Sequence, residues 1–168
     1  LSNWCSAMVF FYPAERRILG SFVGIFGHGV YFATDHLSPR FQPYSSKGTA
    51  PREVSSPAKD VDARFQWATK LEDASVAYYG QKKMNYLSLA SDSRFTARIS
   101  ALPEGAETRI YNLAGNPMMM RVIDGHKRID AVFDVQGQHP HDVAPGAFIA
   151  SKVPGVVFTD MSGGEIDL

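Results

Sequence analysis

Several groups of residues have types and spacings suited to chemistry. Ser75 and Tyr78 stand three apart, with Tyr79 beside them, and Thr69 and Glu72 lie just upstream. A serine hydroxyl and an aromatic face on one short helix hold a flat ligand by one hydrogen bond and one stacked ring. Cys5 is the single thiol, and it becomes a nucleophile when a base such as His28 takes its proton. His139-Pro140-His141-Asp142, with His126 upstream, brings zinc-type ligands close together. Pro140 and the preceding Gly137-Gln138 make a solvated turn the better reading of that stretch. Asp160 and Glu165 supply two late carboxylates able to orient a nucleophile. The plainer alternative for Trp67, Tyr78 and Tyr79 is a place in the core with satisfied polar tips.

The elements that must position these groups follow from patterning. Residues 65–80, FQWATKLEDASVAYYG, read as a strand running into a short helix. Thr69-Lys70-Leu71-Glu72 spells a capping box, Leu71, Ala74 and Tyr78 recur at helical spacing, and Gly80 stops the turn. Upstream, residues 7–12 predict a buried strand, residues 13–17 a turn and residues 18–25 the returning strand. Gly27-His28-Gly29 pinches the chain before a third strand over residues 30–33. Residues 38–57 are rich in Pro, Ser and Gly and predict a long surface loop. Residues 84–90, 94–100 and 108–113 read as strands. A hairpin over residues 118–123 and 127–135 is expected to turn at Asp124-Gly125. Residues 143–152 suggest a short helix interrupted at Pro145-Gly146, and residues 156–159 a closing strand.

The chain has 168 residues, 17 acidic and 17 basic, and therefore no net charge. That length fits one domain over residues 1–168. The charge balance gives no general pull toward nucleic acid. With one cysteine there is no internal disulfide framework, which fits a reducing compartment. The longest apolar run, residues 18–33, is broken by glycines, Ser21 and His28, so no membrane segment is expected. Nor is a signal peptide pattern visible. The 14 glycines and 10 prolines suit a strand-dominated α+β domain, with two packed antiparallel sheets and one or two short helices.

The order of strand (residues 30–34), long loop and strand-to-helix segment (residues 65–80) resembles the core of the ADP-ribosyltransferase fold. That fold is shared by poly(ADP-ribose) polymerases and diphtheria-type toxins. The likeness covers residues 30–80, and residues 65–80 are also similar to the matching piece of rifampicin ADP-ribosyltransferases. It implies NAD as substrate. Tyr31 and Phe32 would lie on the ribose-holding strand, Trp67 and Thr69 on the second strand, and Ser75 and Tyr78 about the nicotinamide. Asp160 or Glu165 would be the catalytic acid, with His28 near the site. Phe32 stands where the family carries His or Arg. The resemblance further implies a protein target for mono-ADP-ribose transfer, and an effector or toxin role in virulence, secreted into a host cell. With Phe32 in place of the polar clamp, a catalytically silent binding module is the alternative. Separately, residues 1–9 resemble the cysteine motif of toxin-type and chemotaxis-type glutamine deamidases, which implies a Cys5-dependent hydrolase.

Overall fold

The computed structural model describes residues 4–45, 48–54, 68–79, 87, 90–112, 115–123, 129–134, 138–160 and 162–166. An antiparallel meander comes first: β1 (Cys5–Tyr12), β2 (Arg17–Ile25), β3 (Gly29–Thr34), β4 (Leu37–Pro43) and β5 (Arg52–Glu53), side by side in chain order. The β2–β3 turn is tight because Gly27 takes a φ of 72°, a left-handed conformation that costs glycine little. A side-chain period of two then sorts the sheet's faces. Val23, Ile25, Tyr31, Ala33 and Phe41 point inward and are almost inaccessible to solvent. Met8, Phe22, Phe32 and Arg40 form a cross-strand row on the opposite face.

Two expectations for this half are corrected. β1 is an edge strand rather than a buried one, with Phe10 58% and Phe11 53% exposed. Within the expected long surface loop over residues 38–57, residues 38–43 belong to β4 and Arg52 and Glu53 form β5, with Pro39 and Phe41 buried. Pro39 is tolerated because it falls where the β3–β4 register slips between Phe32 and Thr34, so the ladder loses little from its missing N–H.

Among the described residues, the second half holds a 3₁₀ turn (Leu71–Asp73), β6 (Ser75–Tyr78), α1 (Ser93–Ser100), β7 (Arg109–Asn112), α2 (Gly115–Ile123), β8 (Ala131–Phe133) and α3 (Pro140–Ser151). β6 pairs in parallel with β7 on one side and β8 on the other. The second sheet is therefore parallel, not antiparallel, and the fold is mixed α/β. Parallel neighbours need long crossovers, which is why helices separate these strands in sequence.

Each misread segment has a physical reason. The capping box at Thr69 fails because the 3₁₀ turn is capped at Lys70, with no side-chain cap bond, and ends after Asp73. Beyond Ala74, the four residues Ser75–Tyr78 are all buried, as a strand inside a parallel sheet must be. Residues 94–100 form α1 rather than a strand, because the Asp92 carboxylate accepts from the N–H groups of Arg94 (2.9 Å) and Phe95 (3.0 Å) and nucleates the helix. The expected hairpin at Asp124-Gly125, a dipeptide outside the described residues, is replaced by α2 and β8. Residues 156–159 make no ladder, only an isolated bridge from Thr159 to Glu165.

α2 and α3 pack against each other between the two sheets. Met120, Ile123, Phe148 and Ile149 close on the inner face of the meander, while Met118 packs with Ala77 and Ile129 on the parallel-sheet side. A helix covered on two sides carries apolar residues around most of its girth. That requirement explains the run Met118-Met119-Met120. The Ser21 hydroxyl ties the layers, donating to the carbonyl of Pro145 at 2.8 Å and also reaching that of Met8 at 3.1 Å. Among the described residues no helix is long and apolar enough to cross a membrane.

Candidate functional site

The spatial order β7-β6-β8 sets the location of the site. From β6 the chain passes to β7 on one side and then returns past β6 to β8 on the other. Ligands of open parallel sheets bind beyond the carboxyl ends of the strands at such a reversal. By that rule the expected ligand position here, the candidate crevice, lies beyond Tyr78 of β6 and Phe133 of β8, where the Tyr79 N–H donates to the Phe133 carbonyl at 3.0 Å.

Asp134 follows β8 directly. One of its carboxylate oxygens accepts from both the backbone N–H and the side-chain amide of Gln138, each at 3.0 Å. The Gln138 Oε1 in turn accepts from the Gly115 N–H, the first of α2, at 2.8 Å. This relay fastens the end of β8 to the start of α2. Gly115 has φ of 71°, and a Cβ there would lie 3.5 Å from the Asp142 carbonyl oxygen. The first turns of α2 and α3 thus lie side by side. Asp142 sits in the first turn of α3, where a carboxylate is favoured by the helix dipole. The His139 and His141 rings stack at 5.3 Å with an interplanar angle of 7°, and His141 Nε2 is 3.7 Å from Asp142 Oδ1. Stretch 139–142 is therefore a helix start rather than a turn. The signal was available: Pro140 at the first helical position and an acid two residues on mark an N-terminus.

A cleft of about 470 Å³ runs along the open edge of β8. Its walls include Met119, Val122, Val156 and Phe158, with Asp134 toward one end and Asp130 toward the other. Asp130 serves the fold, its carboxylate accepting from the N–H groups of Ala68 and Ser75 at 2.7 Å each. Helix starts favour an anionic group, carboxylates accept from hydroxyls, and apolar walls take a flat ring.

Apart from the 139–142 stretch, the residues singled out from the sequence fall elsewhere, in four places. His28 is half-buried at the β2–β3 turn; its Nε2 lies 2.9 Å from the Tyr31 hydroxyl and its ring 4.7 Å from that of Phe41. Tyr31 is fully buried, and Phe32 points to the opposite face of β3. Ser75 and Tyr78 are buried in β6, where a separation of three turns them to opposite faces of the strand rather than one face of a helix. Thr69 is exposed ahead of the 3₁₀ turn, and Trp67 lies outside the described residues.

Asp160 and Glu165 share the C-terminal turn. There the Asp160 carboxylate accepts from the Ser162 hydroxyl (2.6 Å), the Ser162 N–H (2.8 Å) and the Gly164 N–H (2.9 Å). These bonds, that of the Ser162 hydroxyl first, hold its carboxyl below the usual carboxylate range. Cys5 is opposite Ile25 at the meander's edge. Partial shielding of its sulfur, and secondarily the Asp142 carboxylate, push its thiol pKa up, against the needs of a nucleophile. No protein-family model matches the chain. No curated protein matches its sequence either. Its own geometry therefore carries the functional reading.

Proposed function

We propose that the chain binds a small phosphate ester bearing hydroxyl groups, of the nucleotide or sugar-phosphate class, at the carboxyl end of β8. What supports this is the Asp134–Gln138–Gly115 relay, which ties the end of β8, next to the reversal point of the parallel sheet, to the start of α2, against which the start of α3 with Asp142 packs. The positive end of the peptide dipoles at the start of α3 would attract the phosphate, the first N–H of α2 being already taken by Gln138. The two aspartates would accept from ligand hydroxyls and reject a bare polyanion by repulsion. A nucleotide adds a flat base suited to the cleft walls.

The likeness of residues 30–80 to ADP-ribosyltransferases makes NAD the first dinucleotide to try, with ADP-ribose transfer to a protein as the finer form of this proposal. Calorimetric titration with AMP, glucose 6-phosphate, inorganic phosphate and NAD tests the reading. Saturable binding of an ester that is weakened about tenfold or more by Asp134→Asn supports it, because a hydrogen bond to a charged group is worth about 1.5–3 kcal/mol. Failure of all four to bind at millimolar concentration would sink it. NAD binding with nicotinamide release, sensitive to Tyr78→Ala or Asp160→Asn, would support transfer. Release that depended on Cys5 would favour the hydrolase alternative.

A further inference from the structure

Pro145 stands in the middle of α3, so the carbonyl of His141 loses the N–H that would close its helical turn. Asn116, only 4% exposed, fills that gap from the neighbouring helix. Its Nδ2 donates to the His141 carbonyl at 3.2 Å, and its Oδ1 accepts from the Gly146 N–H at 2.8 Å. In an uninterrupted helix the Gly146 N–H faces the Asp142 carbonyl, four residues back. One side-chain amide thus donates to the carbonyl that Pro145 leaves without its N–H and accepts from the N–H just past the break, bridging that turn of α3.

We infer that Asn116 is a positioning residue of the crevice: it sets where the first turn of α3, with Asp142, stands against the start of α2. Asn116 is the second residue of α2, so any movement of its backbone is passed to His141 and Gly146 through the side chain. The two helix starts therefore behave as one rigid lip. This rests on the crevice reading, which requires both starts to face the same ligand. The device differs from ordinary core packing in that it is needed only because residue 145 has no N–H. With alanine at 145 the ladder closes by itself, His141 taking the N–H of residue 145 and Asp142 that of Gly146, and Asn116 becomes dispensable.

That conditional dependence is the test. AMP affinity is measured by calorimetry on the full chain for wild type, Asn116→Ala, Pro145→Ala and the double variant, alongside amide hydrogen exchange at Gly146. Asn116→Ala is expected to weaken AMP binding by about tenfold and to speed Gly146 exchange by at least about tenfold, the loss of roughly one buried hydrogen bond. The double variant is expected to match Pro145→Ala within about twofold in both readouts. Rescue of this kind does not arise if Asn116 merely fills space.

A double variant as impaired as Asn116→Ala, or a single variant that keeps full affinity and a slow Gly146 amide, overturns the inference. If Asn116→Ala does not fold, the comparison of the double variant with Pro145→Ala decides, and a tenfold gap between them refutes it. If wild type binds no AMP, affinity is read with glucose 6-phosphate or NAD, and the crevice reading fails separately if none of the four ligands binds. Gly146 exchange, with the amide shifts of His141 and Asp142, still decides the role of Asn116, because the loss and its rescue by Pro145→Ala need no ligand.

Discussion

Gly146→Ala sets two well-understood effects against each other. Replacing glycine by alanine inside a helix stabilises by about 0.5–1 kcal/mol, so propensity alone predicts a more stable protein. The structure predicts the opposite. A Cβ on Gly146 would sit 3.0 Å from the Met119 Cβ, 3.1 Å from the Asn116 carbonyl oxygen and 3.2 Å from the Asn116 Cα. Two of those atoms are main chain and the third is anchored directly to it, so no rotamer change relieves the contact. Overpacking of this kind costs about 1–3 kcal/mol. Moving α3 away from α2 also stretches the 2.8 Å bond from the Gly146 N–H to Asn116, worth about 1 kcal/mol. The balance is a destabilisation of about 1–3 kcal/mol, which lowers Tm by about 3–10 °C in a chain of this size. Thermal unfolding followed by circular dichroism reads it directly. A Tm equal to or above that of wild type would mean that α2 and α3 do not approach as closely as described, and the shared lip of the crevice would fall with that result.

Gly29→Ala should cost more, about 3 kcal/mol, since its new Cβ would lie 2.4 Å from the Gln42 carbonyl oxygen and 2.7 Å from the Phe41 ring; an unchanged urea midpoint would refute this. Asp160 has a folded-state pKa below its unfolded value of about 3.9, so the stability it lends is present above that pH and disappears as pH falls through the lower value. Ser162→Ala should move its titration, followed by carboxyl-carbon NMR, back toward the ordinary range, and an unmoved midpoint would count against the turn. Cys5, with a raised thiol pKa, should react with iodoacetamide at pH 7.5 more slowly than cysteine in a short peptide; Asp142→Asn should speed it, and no change would show that the two groups are not neighbours.

The meander was legible because its signals are local. Alternating burial and a glycine at the turn locate β2 and β3 within a residue or two. The parallel sheet was not, because its strands are short, buried and paired with partners far along the chain, so no periodicity of two marks them. Ser75–Tyr78 looked helical since Thr69 and Glu72 happen to stand at capping distance; tertiary burial overrode that preference. Met118–Ile123 read as a strand because a helix enclosed on two sides shows no polar face, and Asp124-Gly125 offered a persuasive turn. The crevice was missed for the same reason. Asp134, Gln138 and Gly115 are unremarkable in sequence and acquire a role only when β8 and α2 are brought together. Asn116 left a faint trace, a polar residue between Gly115 and the apolar run, with a proline in the facing helix.

The hydroxyl of Ser21 meets the carbonyl of Pro145 across a sequence separation of 124. During synthesis the meander emerges before α2 and α3 and closes hairpin by hairpin, each over a short loop. Its inner face of Val23, Tyr31 and Phe41 has no cover of its own until α2 and α3 leave the ribosome. At typical elongation speeds of about 5–20 residues per second, that face waits several seconds for its lid. A nascent chain of this protein therefore spends that interval as a one-sided sheet with an adhesive surface. The completed crevice, built from elements that follow the meander in sequence, marks the end of that wait.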